Sequence, residues 1–171
     1  MDEDSLKPNY IVCTEAKQHV EPFPKSSIRA SELTHIDLWE KYSIRSINGH
    51  QYYLLLVDNA KRFATIECVK QKSDAAQAII NYLAHLKTQG RNPKGIQIDC
   101  GKEFINKELE SWCKEHGMEI YYTVPYLPSQ NGIAKWMNHT LVELSRAMII
   151  TNDLPKFLWE YMVLHATYLH N

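Results

Sequence analysis

The rhythm of apolar and polar positions changes at Glu32. Before it, residues 1–28 hold no sustained periodicity and close on EPFPKSS, which reads as a leader or linker. From Glu32 the segment ELTHIDLW alternates. Leu33, His35 and Asp37 fall on one face and Thr34, Ile36 and Leu38 on the other, the period of a strand. The turn-forming run Ser46-Ile47-Asn48-Gly49-His50 leads into YYLLLVD, a buried strand, and RFATIECVK is a third. Their short connections predict an antiparallel meander.

The period then lengthens. Ala76, Ile79, Ile80, Leu83 and Leu86 recur at helical spacing, with Ser73 as the expected cap and Gly90 as the stop. Gly95 to Asp99 is a short fourth strand, Asn106 caps a helix ending near Gly117, and MEIYYTV is a fifth strand. Ile133, Met137, Leu141, Leu144 and Met148 line one stripe of a long helix. Pro155 suits the first turn of a last helix to about His170. The order predicts an α/β fold: a five-stranded mixed sheet, three antiparallel strands then two further strands, flanked by helices. The last helix still runs at YLHN, so C-terminal truncation is expected.

With 171 residues the chain is one domain's worth, and its formal net charge of −1 confines any phosphate contact to a local basic patch. The cysteines at 13, 68, 100 and 113 show no C-x-x-C spacing, so neither a zinc site nor a disulfide framework is indicated, and an intracellular location is expected. The acidic N-terminus lacks the apolar core of a secretory signal. The longest apolar run, Tyr52 to Val57, is far too short to span a membrane.

Asp37 lies on the first strand and Asp99 ends the fourth. Carboxylates at neighbouring strand ends can share divalent cations, which in pairs drive in-line phosphoryl transfer. Such a site calls for a third carboxylate near the start of an adjoining helix, and that position holds Lys135. As a bare pair the two aspartates read more readily as turn or capping residues.

The surrounding runs AKQHVEPFPKSS, ELTHIDLW, HQYYLLLVDNAKRF, IQIDCGKEF, PYLPSQNGIAKWMNHTLVELSRAMI and LPKFLWEYMVLHATYLHN, in that order, resemble the integrase core of copia-like LTR retrotransposon polyproteins over residues 13–171. The resemblance implies an RNase H-like fold and a Mg²⁺- or Mn²⁺-dependent polynucleotidyl transferase that trims and joins retroelement DNA ends. It implies DNA and further copies of the chain as partners, and a nuclear workplace. Asp37 and Asp99 match the two catalytic aspartates, and Lys135 replaces the glutamate expected after QNGxA. Gln130 and Asn131 match loop residues beside the site. Lys102, Gln130, Asn131, Lys135, Asn138, His139 and Arg146 match a DNA-facing surface, with Lys61 and Arg62 extending it; turn formation is the alternative for Gln130 and Asn131, a solvated polar face for the others. Residues 1–28 match a linker with a remnant of a zinc module, in which Cys13 stands for the second cysteine and Tyr10 for the first, so zinc is not expected. Residues 29–171 match the catalytic core.

Several departures from this pattern bear on activity. A protonated lysine has no lone pair for a metal. Glu143 lies about 12 Å further along an ideal helix, too far for a simple replacement, whereas Glu103 stands close to Asp99 in sequence. KWMNHTL stands where ERMNRTL is usual, which removes two arginines from the DNA-facing helix. Trp136 exposed on such a helix is anomalous unless it packs on the last helix, where Trp159 and Tyr161 offer partners. The readings are an integrase core with impaired catalysis, a non-enzymatic DNA-binding or oligomerisation module, and a relic without function.

Overall fold

The computed structural model describes residues 32–39, 42–99, 106–123 and 131–171. Strands β1 (Leu33–Trp39), β2 (Tyr52–Asp58) and β3 (Ala64–Val69) form the antiparallel meander. Helix α1 (Ala75–Thr88) crosses over to β4 (Gly95–Ile98), which pairs parallel to β1. Helix α2 (Lys107–Glu115) leads to β5 (Glu119–Tyr122), parallel to β4. Helices α3 (Gly132–Thr151) and α4 (Trp159–His170) complete the chain, and the sheet order is β3-β2-β1-β4-β5.

Alternation along the strands splits the core in two. Ile36, Leu54, Leu56, Ile96 and Ile98 bury against α1 and α2 on one face. Tyr53, Leu55, Val57, Ala64 and Ile66 meet Met137, Leu141, Trp159 and Val163 of α3 and α4 on the other. His35 and Asp37 share the second face, so the first aspartate points toward the long helix.

Local signals explain most boundaries. Gly49, Gly90 and Gly117 take positive φ at the turn and helix ends where the sequence placed them. Asn106 Oδ1 accepts from Glu108 N at 2.8 Å, the expected cap. The third strand starts later than expected: Arg62 takes φ 59°, and Asp58 Oδ1 holds the turn by accepting from Ala60 and Lys61 N–H. Ser73 does not cap α1. A 3-10 turn, Lys72–Asp74, precedes the helix, and Asp74 reaches back to accept from Gln71 N–H at 3.0 Å. Another 3-10 turn, Lys156–Leu158, follows Pro155, so α4 begins only at Trp159.

Two clasps fix α4. The loop before β2 is tied down through Glu160, which is 5% exposed and accepts from Asn48 Nδ2 at 3.1 Å while pairing with His50 Nδ1 at 3.0 Å. Burial pushes the Glu160 carboxyl up, but hydrogen bonds from Ser46, His50 and Asn48 outweigh it and hold the group below its ordinary value. Such a carboxylate adds stability above its unfolded value, near 4.3, and loses it as pH falls through the lower folded value. Glu160→Gln is therefore expected to cost about 1–2 kcal/mol at neutral pH and to flatten the acid limb of stability, measured by urea unfolding across pH. An acid limb unchanged by the substitution would contradict this. At the second clasp, the Asn171 carboxamide pairs with the edge strand β3, accepting from Ala64 N and donating to Ala64 O, both at 2.8 Å.

Candidate functional site

Parallel pairing of β1 and β4 sets their C-terminal ends side by side, and Asp37 and Asp99 stand there. Helix α3 lies across those ends. Its first turn is anchored by Asn131, whose Nδ2 donates to the Ile36 carbonyl at 2.9 Å. One turn on, Lys135 Nζ donates to Asp99 Oδ2 at 3.2 Å, and Asp99 Oδ1 accepts from the Thr123 hydroxyl at 2.9 Å. Asn138 Nδ2 donates to Asp37 Oδ2 at 2.6 Å, while its Oδ1 accepts from the buried Tyr53 hydroxyl at 2.9 Å.

The two carboxylates differ in environment. Burial pushes the Asp37 carboxyl above its ordinary value, and Asp99 adds to this; the Asn138 amide and the Lys135 ammonium pull it back. Asp99 is more open: its side chain is 43% exposed and that of Lys135 39%. Their ion pair is therefore worth at most about 1 kcal/mol. Its importance lies in what it occupies. His35, two residues before Asp37, contacts Asn59 Oδ1 through Nε2 at 3.0 Å, and burial, its strongest influence, lowers its imidazole from the ordinary value.

The residues do not fit a divalent cation pair. Hard cations need several oxygen lone pairs. Here Thr123 and Lys135 engage both Asp99 oxygens, Asn138 engages Asp37, and the third group is a cation. Among the described residues no three His, Cys, Asp or Glu side chains are grouped to hold a metal.

Asp37, Asp99 and Lys135 thus come together, and two of the expected DNA contacts do not reach a surface. Asn131 is 0% and Asn138 1% exposed. Each is turned inward because its amide serves the strand beside it, so both position the site rather than meet DNA. Exposed His139 faces Glu143 at 3.4 Å, which also places Glu143 away from the carboxylates. Exposed Arg146 borders a cavity of about 490 Å³ with Trp39, Tyr42 and Lys156. Lys102, Gln130 and Glu103, like the proposed zinc remnant, lie outside the described residues. Trp136 does not pack on α4: it is 64% exposed, and Trp159 instead stacks on Tyr42 with ring centroids 4.0 Å apart. Sequence reasoning missed Tyr53 and Thr123. Neither carries a local signal, since each owes its role to a residue brought near only by the fold.

Comparison with known proteins bears on the family and the fold. Residues 28–128, more than half of the chain, match the model of the integrase core domain. The chain is 34% identical over 163 residues to the retrovirus-related Pol polyprotein from transposon TNT 1-94 of Nicotiana tabacum, covering 93% of this chain and 12% of that protein. It is 28% identical to the corresponding polyprotein from transposon RE2 of Arabidopsis thaliana, over 93% of this chain and 11% of that protein. The chain therefore spans about an eighth of the length of these relatives. Among solved structures, a chain in the cryo-EM structure of the simian T-cell lymphotropic virus intasome in complex with PP2A regulatory subunit B56 gamma superposes with a TM-score of 0.64. That match has 19% identity and covers 81% of this chain and 47% of the other. The five-stranded mixed sheet with its flanking helices is RNase H-like, as the copia-like motifs implied, and the chain belongs to the integrase core domain family.

Proposed function

We propose that this chain is the core of a retrotransposon integrase that holds DNA for integration while its own metal-dependent chemistry is suppressed. The carrying observation is the Lys135 ammonium, 3.2 Å from Asp99 Oδ2, in the place that the motif assigns to the third carboxylate. Integrase cores generally use divalent metals. A fixed cation here repels a second one and leaves no oxygen ligand in its stead.

The same charge reversal favours phosphate. Two carboxylates without a counter-ion repel a DNA strand, whereas Lys135 offsets one of them and offers further N–H donors. Arg62, His139, Arg146 and Lys156 are other cationic or polar groups toward which a duplex can lie. Its partners on this reading are retroelement ends, target DNA and further copies of the chain, in the nucleus. A purely oligomeric, DNA-free module has no observation of its own to favour it.

Duplex DNA binding is expected to be insensitive to divalent metal. Fluorescence anisotropy with a labelled duplex should give dissociation constants within about twofold in Mg²⁺ and in EDTA at matched ionic strength. Binding lost on chelation, or absent under both conditions, would sink the proposal.

A further inference from the structure

Trp136 presents a large aromatic face to solvent, next in sequence to the lysine that occupies the carboxylate site. It borders a groove of about 500 Å³ lined, among the described residues, by Arg62, Gly132, Ile133, Trp136, Met137 and His170. Ile133 and Met137 make an apolar floor. Arg62 enters from the β2–β3 turn, its Nη1 donating to Asn59 Oδ1 at 3.4 Å. No carboxylate is among these lining residues.

We propose that this groove binds an unpaired nucleobase of a DNA strand, with Trp136 stacking on the base and Arg62 meeting its phosphate. Single-stranded nucleic acid is held by this combination, an aromatic face for the base beside a cation for the backbone. Trp136 follows Lys135 by one position on α3, about 100° around the helix, so a strand that meets Lys135 passes Trp136 within a nucleotide or two. An apolar peptide would fit the floor but would bring no anion to Arg62. The inference rests on the reading that this chain holds DNA, and names the group by which it tells single strands from duplex.

The test compares a labelled thymidine oligonucleotide of about twelve nucleotides with an abasic strand of the same length, by anisotropy. The natural chain is expected to bind the base-bearing strand about tenfold more tightly. Trp136→Ala erases that difference and leaves abasic binding unchanged; Trp136→Phe keeps most of it; Arg62→Ala weakens both strands alike. The thymidine strand also quenches tryptophan fluorescence, and that quenching disappears in Trp136→Phe. Equal binding of both strands by the natural chain, or a base preference that survives Trp136→Ala, overturns the inference and leaves the groove to a protein segment, while duplex binding would still stand. A chain that binds no DNA of any kind overturns this inference and the integrase reading together. Trp136 is exposed, so its replacement leaves the core intact.

Discussion

Lys135→Glu is expected to raise Mn²⁺-dependent strand transfer on an oligonucleotide duplex by about two to three orders of magnitude over the natural chain. The substitution acts at one point. It removes the ammonium from Asp99 Oδ2 and places a carboxylate on the same turn of α3, next to two aspartates that the sheet already holds at neighbouring strand ends. Lys135→Gln separates the two effects, since it removes the charge without supplying an ionised ligand and should recover little activity. Mn²⁺ titration calorimetry on the three proteins gives a second readout independent of turnover, with binding expected only in Lys135→Glu. Equal activity in the natural chain and Lys135→Glu would mean that another carboxylate serves the metal. Inactivity in both, with Mn²⁺ unbound, would show that Lys135 is not what disables the site.

The second large effect is expected at Asn138, whose carboxamide joins Tyr53 to Asp37 through two hydrogen bonds inside the fold. Asn138→Ala leaves a fully buried hydroxyl without its acceptor and a half-buried carboxylate without its shortest donor. The combined cost is about 3 kcal/mol, because orphaned buried polar groups lose more than a formed bond contributes. Tyr53→Phe alone should cost about 1 kcal/mol, and the double variant less than the sum, since removing the hydroxyl removes one of the orphans. The pH dependence has a definite sign. Burial already raises the Asp37 carboxyl, and loss of the Asn138 amide raises it further. A carboxyl raised in the folded state contributes stability that is present below its unfolded value, near 3.9, and is lost as pH rises through the folded value. The Asn138→Ala deficit is therefore largest near neutrality and shrinks toward acid. Urea unfolding of the three variants at two pH values measures all of this; a deficit below about 1 kcal/mol, or one that grows toward acid, would refute the relay.

The order of elements was legible because each strand and helix carries its own period. YYLLLVD reads as buried on both faces, and the apolar positions of α1 recur at the predicted residues. The aspartates were legible through the words around them, since the alternation of ELTHIDLW already aims Asp37 away from Ile36. What failed were positions decided across the fold. Leu144 belongs to the predicted stripe of the long helix yet is 40% exposed, while polar Asn138 and Ser145 are buried in its stead. The buried face of α3 is turned to serve Asp37 and Tyr53, and hydropathy has no access to that demand. Asn131 sits beside the site as the motif implies, yet it is buried and faces no DNA, because its amide serves a backbone carbonyl 95 positions away. Ser73 falls inside the 3-10 turn that precedes α1, where Asp74 accepts from Gln71 N–H, a local competition among good turn residues that composition does not decide.

Strand β3 closes one side of the sheet, where unpaired main-chain groups ordinarily invite a neighbouring strand. At Ala64 both groups are already engaged by a single side chain, Asn171. A foreign strand laid along this border meets both main-chain groups of Ala64 already paired, which closes that position to strand addition.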